Sequence, residues 1–138
     1  MKNPCMFELH QRIAADTVPV TEWPLCRVLL MNDSTYPWLL LVPRRAGVVE
    51  ITDLDPADQH ALLDEIARAS TALRQALAPH RINVAALGNV VAQLHVHVIA
   101  RDTDDAAWPK PVWGAVPATP YTPEALETRL AQLRAVLG

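Results

Sequence analysis

The feature that most constrains the fold is the segment from Gln93 to Arg101, in which polar and apolar side chains alternate as far as Val98. Successive side chains of an extended strand point to opposite faces of its sheet. Gln93, His95 and His97 therefore share one face of this strand. The opposite face points into the core and carries Leu94, Val96 and Val98. The alternation is the longest β pattern in the chain and predicts a sheet with one face packed against other elements.

Three further segments are predicted as strands from their apolar, often branched side chains. Cys26–Met31 and Trp38–Val42 are separated by a polar turn, which predicts two antiparallel strands. Arg81–Leu87 precedes the histidine-bearing strand, Leu94–Arg101, and the Gly-Asn pair at 88–89 between them suits a tight backbone turn. These strands are expected to form one antiparallel sheet.

A long helix is predicted between two prolines. Asp55 suits the helix N-cap, Pro56 suits the first helical position, and Pro79 ends the pattern. The apolar stripe of this helix advances in steps of three and four residues through Leu62, Ile66, Ala69, Leu73 and Leu77. A short helix is also predicted over Phe7–Ala15, and a final amphipathic helix after Thr122. Strands and helices that mix without regular alternation predict an α+β domain with a mainly antiparallel sheet of about five strands.

Length and composition predict a single domain over residues 1–138. The net charge of -3 gives no reason to expect nucleic acid as a partner. The longest apolar run, Trp38–Val42, is far below the ~20 residues that span a bilayer, so no membrane partner is expected. The first residues do not resemble an export signal. The expected compartment is therefore the cytoplasm, where Cys5 and Cys26 would be free thiols.

The two histidines and the glutamine form the candidate functional group. Side chains on one strand face are roughly 6.5 Å apart, so Gln93, His95 and His97 can converge on one small group such as a phosphate. A neutral imidazole offers one nitrogen as a nucleophile and the other as a hydrogen-bond donor. Two alternatives stay open at this point. The histidines could be polar residues on a solvated strand face, or two ligands of a metal whose third ligand the sequence does not indicate.

The segment Gln93–Ile99 resembles the signature of the histidine triad (HIT) family of nucleotidyl hydrolases and transferases, His-φ-His-φ-His-φ-φ, where φ is apolar. One position departs from it, because Gln93 stands in place of the first histidine. The resemblance extends in order and spacing over roughly Leu9 to Trp113. It implies a HIT-like fold, a homodimer and no cofactor. It also implies hydrolysis or transfer at the α-phosphate of a nucleoside phosphoramidate, an adenylylated conjugate or a dinucleoside polyphosphate.

The resemblance also implies a role for each residue of the motif. His95 corresponds to the nucleophile that attacks the α-phosphorus and forms a nucleotidyl-histidine. His97 corresponds to the histidine that holds the phosphate and assists the leaving group. Gln93 keeps a hydrogen-bond donor at the first position but not a titratable one. The backbone N–H groups of Gly88 and Asn89 correspond to a turn that binds phosphate.

Further substrate contacts are implied outside the motif. Asn83 is expected near the site, and Asn32 or Asp33 would bind the ribose hydroxyls. Many relatives have a histidine at the position of Trp38, and an indole cannot relay protons. This departure and the glutamine leave a second hypothesis open, a non-catalytic protein that binds or senses nucleotides. A metalloenzyme built on the His-x-His pair is a third hypothesis.

Overall fold

A computed structural model describes residues 6–138, so the prediction for Cys5 lies outside the described residues. The sheet has five antiparallel strands in the order β1-β2-β3-β5-β4. The strands are β1 (Thr17–Glu22), β2 (Cys26–Met31), β3 (Trp38–Pro43), β4 (Arg81–Ala85) and β5 (Val96–Arg101). The predicted α+β class with a five-stranded antiparallel sheet is confirmed.

Three α-helices accompany the sheet: α1 (Gln11–Asp16), α2 (Pro56–Leu77) and α3 (Pro123–Leu137), with a 3-10 turn at Ile51–Asp53 before α2. The prolines define α2 as predicted. Asp55 occupies the N-cap position, but its side chain makes no capping hydrogen bond, contrary to expectation. Thr122 does cap α3, because its hydroxyl accepts a hydrogen bond from the Ala125 N–H. Within residues 6–138, no helix is long and apolar enough to cross a membrane.

The start of the described chain differs from the prediction. The opening helix is Gln11–Asp16 rather than Phe7–Ala15, and the side chain of His10 caps it. The next six residues form β1, a strand that the sequence did not predict because the stretch Asp16–Pro19 was interpreted only as the end of the opening helix. Pro19 fits here because β1 is an edge strand, where a missing backbone N–H is tolerated. The pairing of β1 with β2 also shifts register just after this proline.

The strands around the histidine motif are shorter than predicted. β4 ends at Ala85 rather than Leu87, and β5 begins at Val96 rather than Leu94. The Leu94 N–H donates to the carbonyl of Val48 instead of to a neighbouring strand. The residues just before β5 therefore belong to a loop, and strand alternation no longer dictates the direction of their side chains.

Both faces of the sheet are covered. One face packs against α2 and α3 through a cluster that includes Leu30, Leu41, Val98, Leu73 and Leu133. The other face, which carries the histidines, packs against α1 and the segment after β5 in a second cluster. That cluster includes Ile13, Leu40, Trp38, Ile99 and Val112. The histidine face is therefore an interior surface of the protein.

Glu65 joins α2 to the start of β2. Its two carboxylate oxygens accept hydrogen bonds from the backbone N–H groups of Leu25 and Cys26, both at 2.9 Å. The Cys26 thiol is free and fully buried. Burial raises the pKa of this thiol far above its usual value, and the negative charge of Glu65 acts in the same direction. The predicted free thiol at Cys26 is therefore chemically inert at neutral pH.

Arg101, at the end of β5, holds the following segment against the sheet. Its guanidinium is 1% exposed and donates to both carboxylate oxygens of Asp105, at 2.6 and 3.0 Å. It also donates to the Asn83 side-chain oxygen at 2.9 Å and to the Lys110 carbonyl at 2.8 Å. The hydrogen bonds that Arg101 donates to Asp105 are the main reason why the pKa of Asp105 lies below its usual value.

Candidate functional site

The structure brings His95 and His97 together beneath a cavity. His97 lies on β5, opposite Leu40 of β3 on one side and Ala85 of β4 on the other, and His95 lies just before β5. Their ring centroids are 5.0 Å apart. The two residues are 7% and 4% exposed, so the interpretation as polar residues on a solvated strand face is wrong.

One hydrogen bond determines which nitrogen of His95 is available. His95 Nδ1 lies 2.7 Å from the backbone carbonyl oxygen of Gln93. A carbonyl oxygen can only accept, so Nδ1 carries the proton in this contact. In the neutral ring, Nε2 then keeps its lone pair. His95 is thus held in the tautomer that a nitrogen nucleophile requires.

His97 is held in the opposite tautomer by a different contact. The indole Nε1 of Trp38 lies 3.0 Å from His97 Nδ1. An indole N–H can only donate, so Nδ1 accepts and the proton of the neutral ring is on Nε2. Burial, together with the nearby His95, lowers the pKa of His97 to about 4. At neutral pH this ring is an uncharged hydrogen-bond donor.

The two imidazoles line a cavity of about 480 Å³, a volume within the usual range for small-ligand sites. Helix α1 contributes Arg12, Ile13 and Asp16 to its wall, and the loop at residues 87–91 contributes the opposite side. The remaining wall is mostly apolar and aromatic, and it includes Met31 from the end of β2. The cavity therefore offers an apolar compartment beside a pair of polar ring nitrogens.

A second cavity of about 460 Å³ adjoins the first. The two share four wall residues, Asp16, Met31, Trp38 and Trp113. The Trp113 ring packs edge to face against His97 and Trp38, with centroids 5.0 and 6.0 Å apart. This tryptophan therefore stands where the two cavities meet.

Gln93 does not share the cavity with the histidines, in contrast to the face expected from strand alternation. Its Nε2 donates to the carbonyl of Glu8, and its Oε1 accepts from the N–H of His10, both at 2.8 Å. The reason is the late start of β5, which leaves Gln93 in a loop. Only the backbone carbonyl of Gln93 contacts His95.

Asn32 and Asp33 line the second cavity but already bind backbone groups of a distant segment. The Asn32 Oδ1 accepts from the Tyr121 N–H at 3.0 Å. The Asp33 Oδ1 accepts from the N–H groups of Thr119 and Thr35, at 3.1 and 3.0 Å. These contacts fasten residues 119–121 to the turn after β2.

The remaining residues expected at the site lie in two different places, the loop before β5 and strand β4. Asn89 lines the first cavity, and Gly88 is its exposed neighbour in the same loop. Asn83 lies on β4 and does not line either cavity. Its side-chain oxygen accepts from Arg101, so Asn83 supports the segment after β5.

Sequence reasoning missed the contribution of α1 to the site. Arg12 and Asp16 are separated by about 80 residues from the histidine motif, and no spacing rule connects them. Their side chains are 63% and 54% exposed and form an ion pair at 3.8 Å. Among residues 6–138, no group of three or more His, Cys, Asp or Glu side chains is arranged to hold a metal ion.

A family model described as HIT domain matches residues 12–104, more than half of the chain. The chain belongs to the histidine triad (HIT) family. Proteins of this family typically bind nucleotides and act as hydrolases or transferases. The structural class and the family expected from the sequence are thus confirmed.

Solved structures of bacterial histidine triad proteins match this HIT chain over almost its full length. One from Bradyrhizobium japonicum is 46% identical, covers 96% of this chain and 98% of its own, and has a TM-score of 0.93. One from Sinorhizobium meliloti is 42% identical, with coverage of 98% and 100% and a TM-score of 0.94. One from Marinobacter aquaeolei is 48% identical, with coverage of 96% for both chains and a TM-score of 0.93. No curated protein matches this sequence.

Proposed function

We propose that this HIT protein hydrolyses or transfers nucleotides at the α-phosphate, with His95 as the nucleophile. The substrates proposed are nucleoside phosphoramidates, adenylylated conjugates and dinucleoside polyphosphates. The observation that carries the proposal is the 2.7 Å contact between His95 Nδ1 and the Gln93 carbonyl. This contact places the proton of His95 on Nδ1 and leaves the lone pair on Nε2, and His95 lines the cavity.

The proposed reaction has two displacements at phosphorus. His95 Nε2 attacks the α-phosphorus, a P–N bond forms, and the bond to the leaving group breaks with its electron pair going to that group. A water molecule then attacks phosphorus and releases a proton to the solvent, the P–N bond breaks, and its electron pair returns to Nε2. Two easier steps thus replace one difficult displacement.

His97 and the loop before β5 supply the electrostatic part of this proposal. The Nε2–H of His97 donates to a phosphoryl oxygen that gains negative charge in the transition state. The backbone N–H groups at Gly88 and Asn89 are proposed to bind a second phosphoryl oxygen. The apolar wall formed by Ile13 and Met31 suits the flat face of a nucleotide base.

A second candidate is a protein that binds nucleotides without efficient turnover. Two observations favour it. The Gln93 amide is bound to the chain before α1 and contributes no donor to the cavity. The Trp38 indole occupies a position where the resemblance implies a titratable histidine, and it has no lone pair to exchange protons. The homodimer, the cytoplasmic compartment and the absence of a cofactor stay predictions.

The deciding experiment is a single-turnover reaction with adenosine 5′-phosphoramidate. Wild-type protein is expected to release AMP and to form an acid-labile adduct, and His95→Ala is expected to do neither. His60→Ala, which removes an exposed histidine of α2, is the matched control and should react like wild type. AMP release by His95→Ala at the wild-type rate would refute the nucleophile. Tight AMP binding without release by wild type would establish the second candidate instead.

A further inference from the structure

We propose that Trp38 is a positioning residue for this reaction. Its indole N–H donates a hydrogen bond to Nδ1 of His97, which keeps the His97 ring uncharged and leaves its Nε2–H as the hydrogen-bond donor. The importance of this donor for catalysis rests on the proposed function of His95. The protonation state of the His97 ring does not rest on that function, and it can be measured without any substrate.

The contact is held by the backbone register of two neighbouring strands. Trp38 pairs with Ile99, and His97 pairs with Leu40, so Trp38 and His97 are diagonal neighbours on the same face of the sheet. Such neighbours are within reach when one of them is aromatic. Both side chains are buried, at 8% and 4% exposure. The N–H of the indole is therefore aligned with Nδ1 by the sheet itself.

This alignment disfavours protonation of His97. The indole nitrogen has no lone pair, so a proton on Nδ1 would place two N–H groups against each other. A hydrogen bond to the neutral form of a group disfavours its charged form. Burial and His95 act in the same direction, and the pKa of His97 is lowered to about 4.

The charged groups near the ring do not reverse this preference. Just before β5 the neighbour is His95, with a ring centroid 5.0 Å away. From α1, Arg12 and Asp16 line the same cavity, but they form a solvent-exposed pair with each other. The strands on either side place uncharged residues opposite His97. Trp113 packs its ring against His97 without adding charge.

A ring fixed in this way can stabilise charge but cannot deliver a proton. A neutral imidazole that gave up its Nε2 proton would become an imidazolate anion inside a buried site, which is strongly unfavourable. His97 therefore contributes a hydrogen bond of constant strength across neutral pH. The proton that some leaving groups require comes from water, not from this residue.

Three variants separate the N–H group from the rest of the aromatic side chain. Trp38→Phe keeps an aromatic ring and removes the donor. Trp38→His restores an N–H at the equivalent position of a five-membered ring. Trp113→Phe is the matched control, because this tryptophan contacts the same imidazole through its ring.

The first readout is ¹⁵N NMR of the histidine side chains as a function of pH, without ligand. In wild type, His97 is expected to show a protonated Nε2 and an unprotonated Nδ1 down to about pH 5. In Trp38→Phe its pKa should rise by about half to one unit, with partial protonation of Nδ1 near pH 5. Trp38→His and Trp113→Phe should retain the wild-type tautomer. A protonated Nδ1 in wild type, or identical titrations of wild type and Trp38→Phe, would overturn the proposal.

The second readout is the pH profile of AMP release. Trp38→Phe should lower kcat by about tenfold, less than the 10² to 10³ fold expected for complete loss of an oxyanion donor. The acidic side of its pH profile should also lie at higher pH than that of wild type, and Trp38→His should restore the rate. A loss that Trp38→His does not rescue, with an unchanged pH profile, would reduce Trp38 to a packing role.

The two proposals can fail separately. If wild type shows the expected His97 tautomer but His95→Ala still releases AMP, the nucleophile is wrong and the assignment of Trp38 to His97 stands. If His95→Ala is inactive but the NMR titration of Trp38→Phe matches wild type, the nucleophile stands and the role of Trp38 is refuted.

Discussion

Replacement of Asp105 by alanine should strongly destabilise the protein, because it would leave the Arg101 guanidinium buried without its counter-charge. Arg101 is 1% exposed, and two of its four hydrogen bonds go to this carboxylate. Removal of one partner from a buried ion pair typically costs about 3–5 kcal/mol. Asp105 also accepts the N–H groups of Ala107 and Trp108, at 3.0 and 2.7 Å. We therefore expect the loss to lie at the upper end of this range.

Urea unfolding, followed by tryptophan fluorescence at a fixed protein concentration, measures this loss. Asp104→Ala is the matched control, since it removes an exposed carboxylate one residue away and should change the free energy of unfolding by less than about 0.5 kcal/mol. Adding Arg101→Met to Asp105→Ala should recover part of the stability, because the unpaired charge is then gone. A loss below about 1 kcal/mol in Asp105→Ala would refute the reasoning.

Two other predictions concern stability. Glu65→Ala should cost about 2–5 kcal/mol, since it leaves the buried N–H groups of Leu25 and Cys26 without acceptors, whereas Asp64→Ala, an exposed neighbour, should be nearly neutral in the same unfolding assay. The pKa of His97 is about 4 in the folded state and 6.5 ordinarily, so the unfolded chain binds a proton that the folded chain excludes between these values. Stability should be full above pH 6.5 and fall by about 3 kcal/mol towards pH 4. His97→Asn should flatten this slope, and equal slopes for variant and wild type would contradict the buried neutral ring.

The parts of the fold that the sequence predicted best are those whose ends carry local signals. Helix α2 begins at Pro56 and is followed by Pro79, and strand β2 has the predicted bounds, Cys26–Met31. The strand at Thr17–Glu22 was missed because its role depends on its place at the sheet edge, which only the tertiary structure decides. Local chemistry carries no information about which strand lies at an edge.

The candidate site was predictable only in part, for a similar reason. The motif predicted that His95 and His97 lie beside one another, and their ring centroids are 5.0 Å apart although His95 lies just before β5. It misplaced the Gln93 side chain, since β5 begins only at Val96 and Gln93 lies in the loop before it. The sequence also could not show that Asp33 binds the backbone of Thr119, a partner 86 positions away.

The two edges of the sheet differ in their ability to accept another strand. An unpaired edge is a template for further strand pairing, including unwanted association. At β1, Pro19 lacks an N–H, and Arg134 of α3 donates to the carbonyls of Pro19 and Val20. This edge is therefore protected from strand addition by its own sequence and by the C-terminal helix. A further strand that extended the sheet would have to join at β4, where Val84 is 48% exposed.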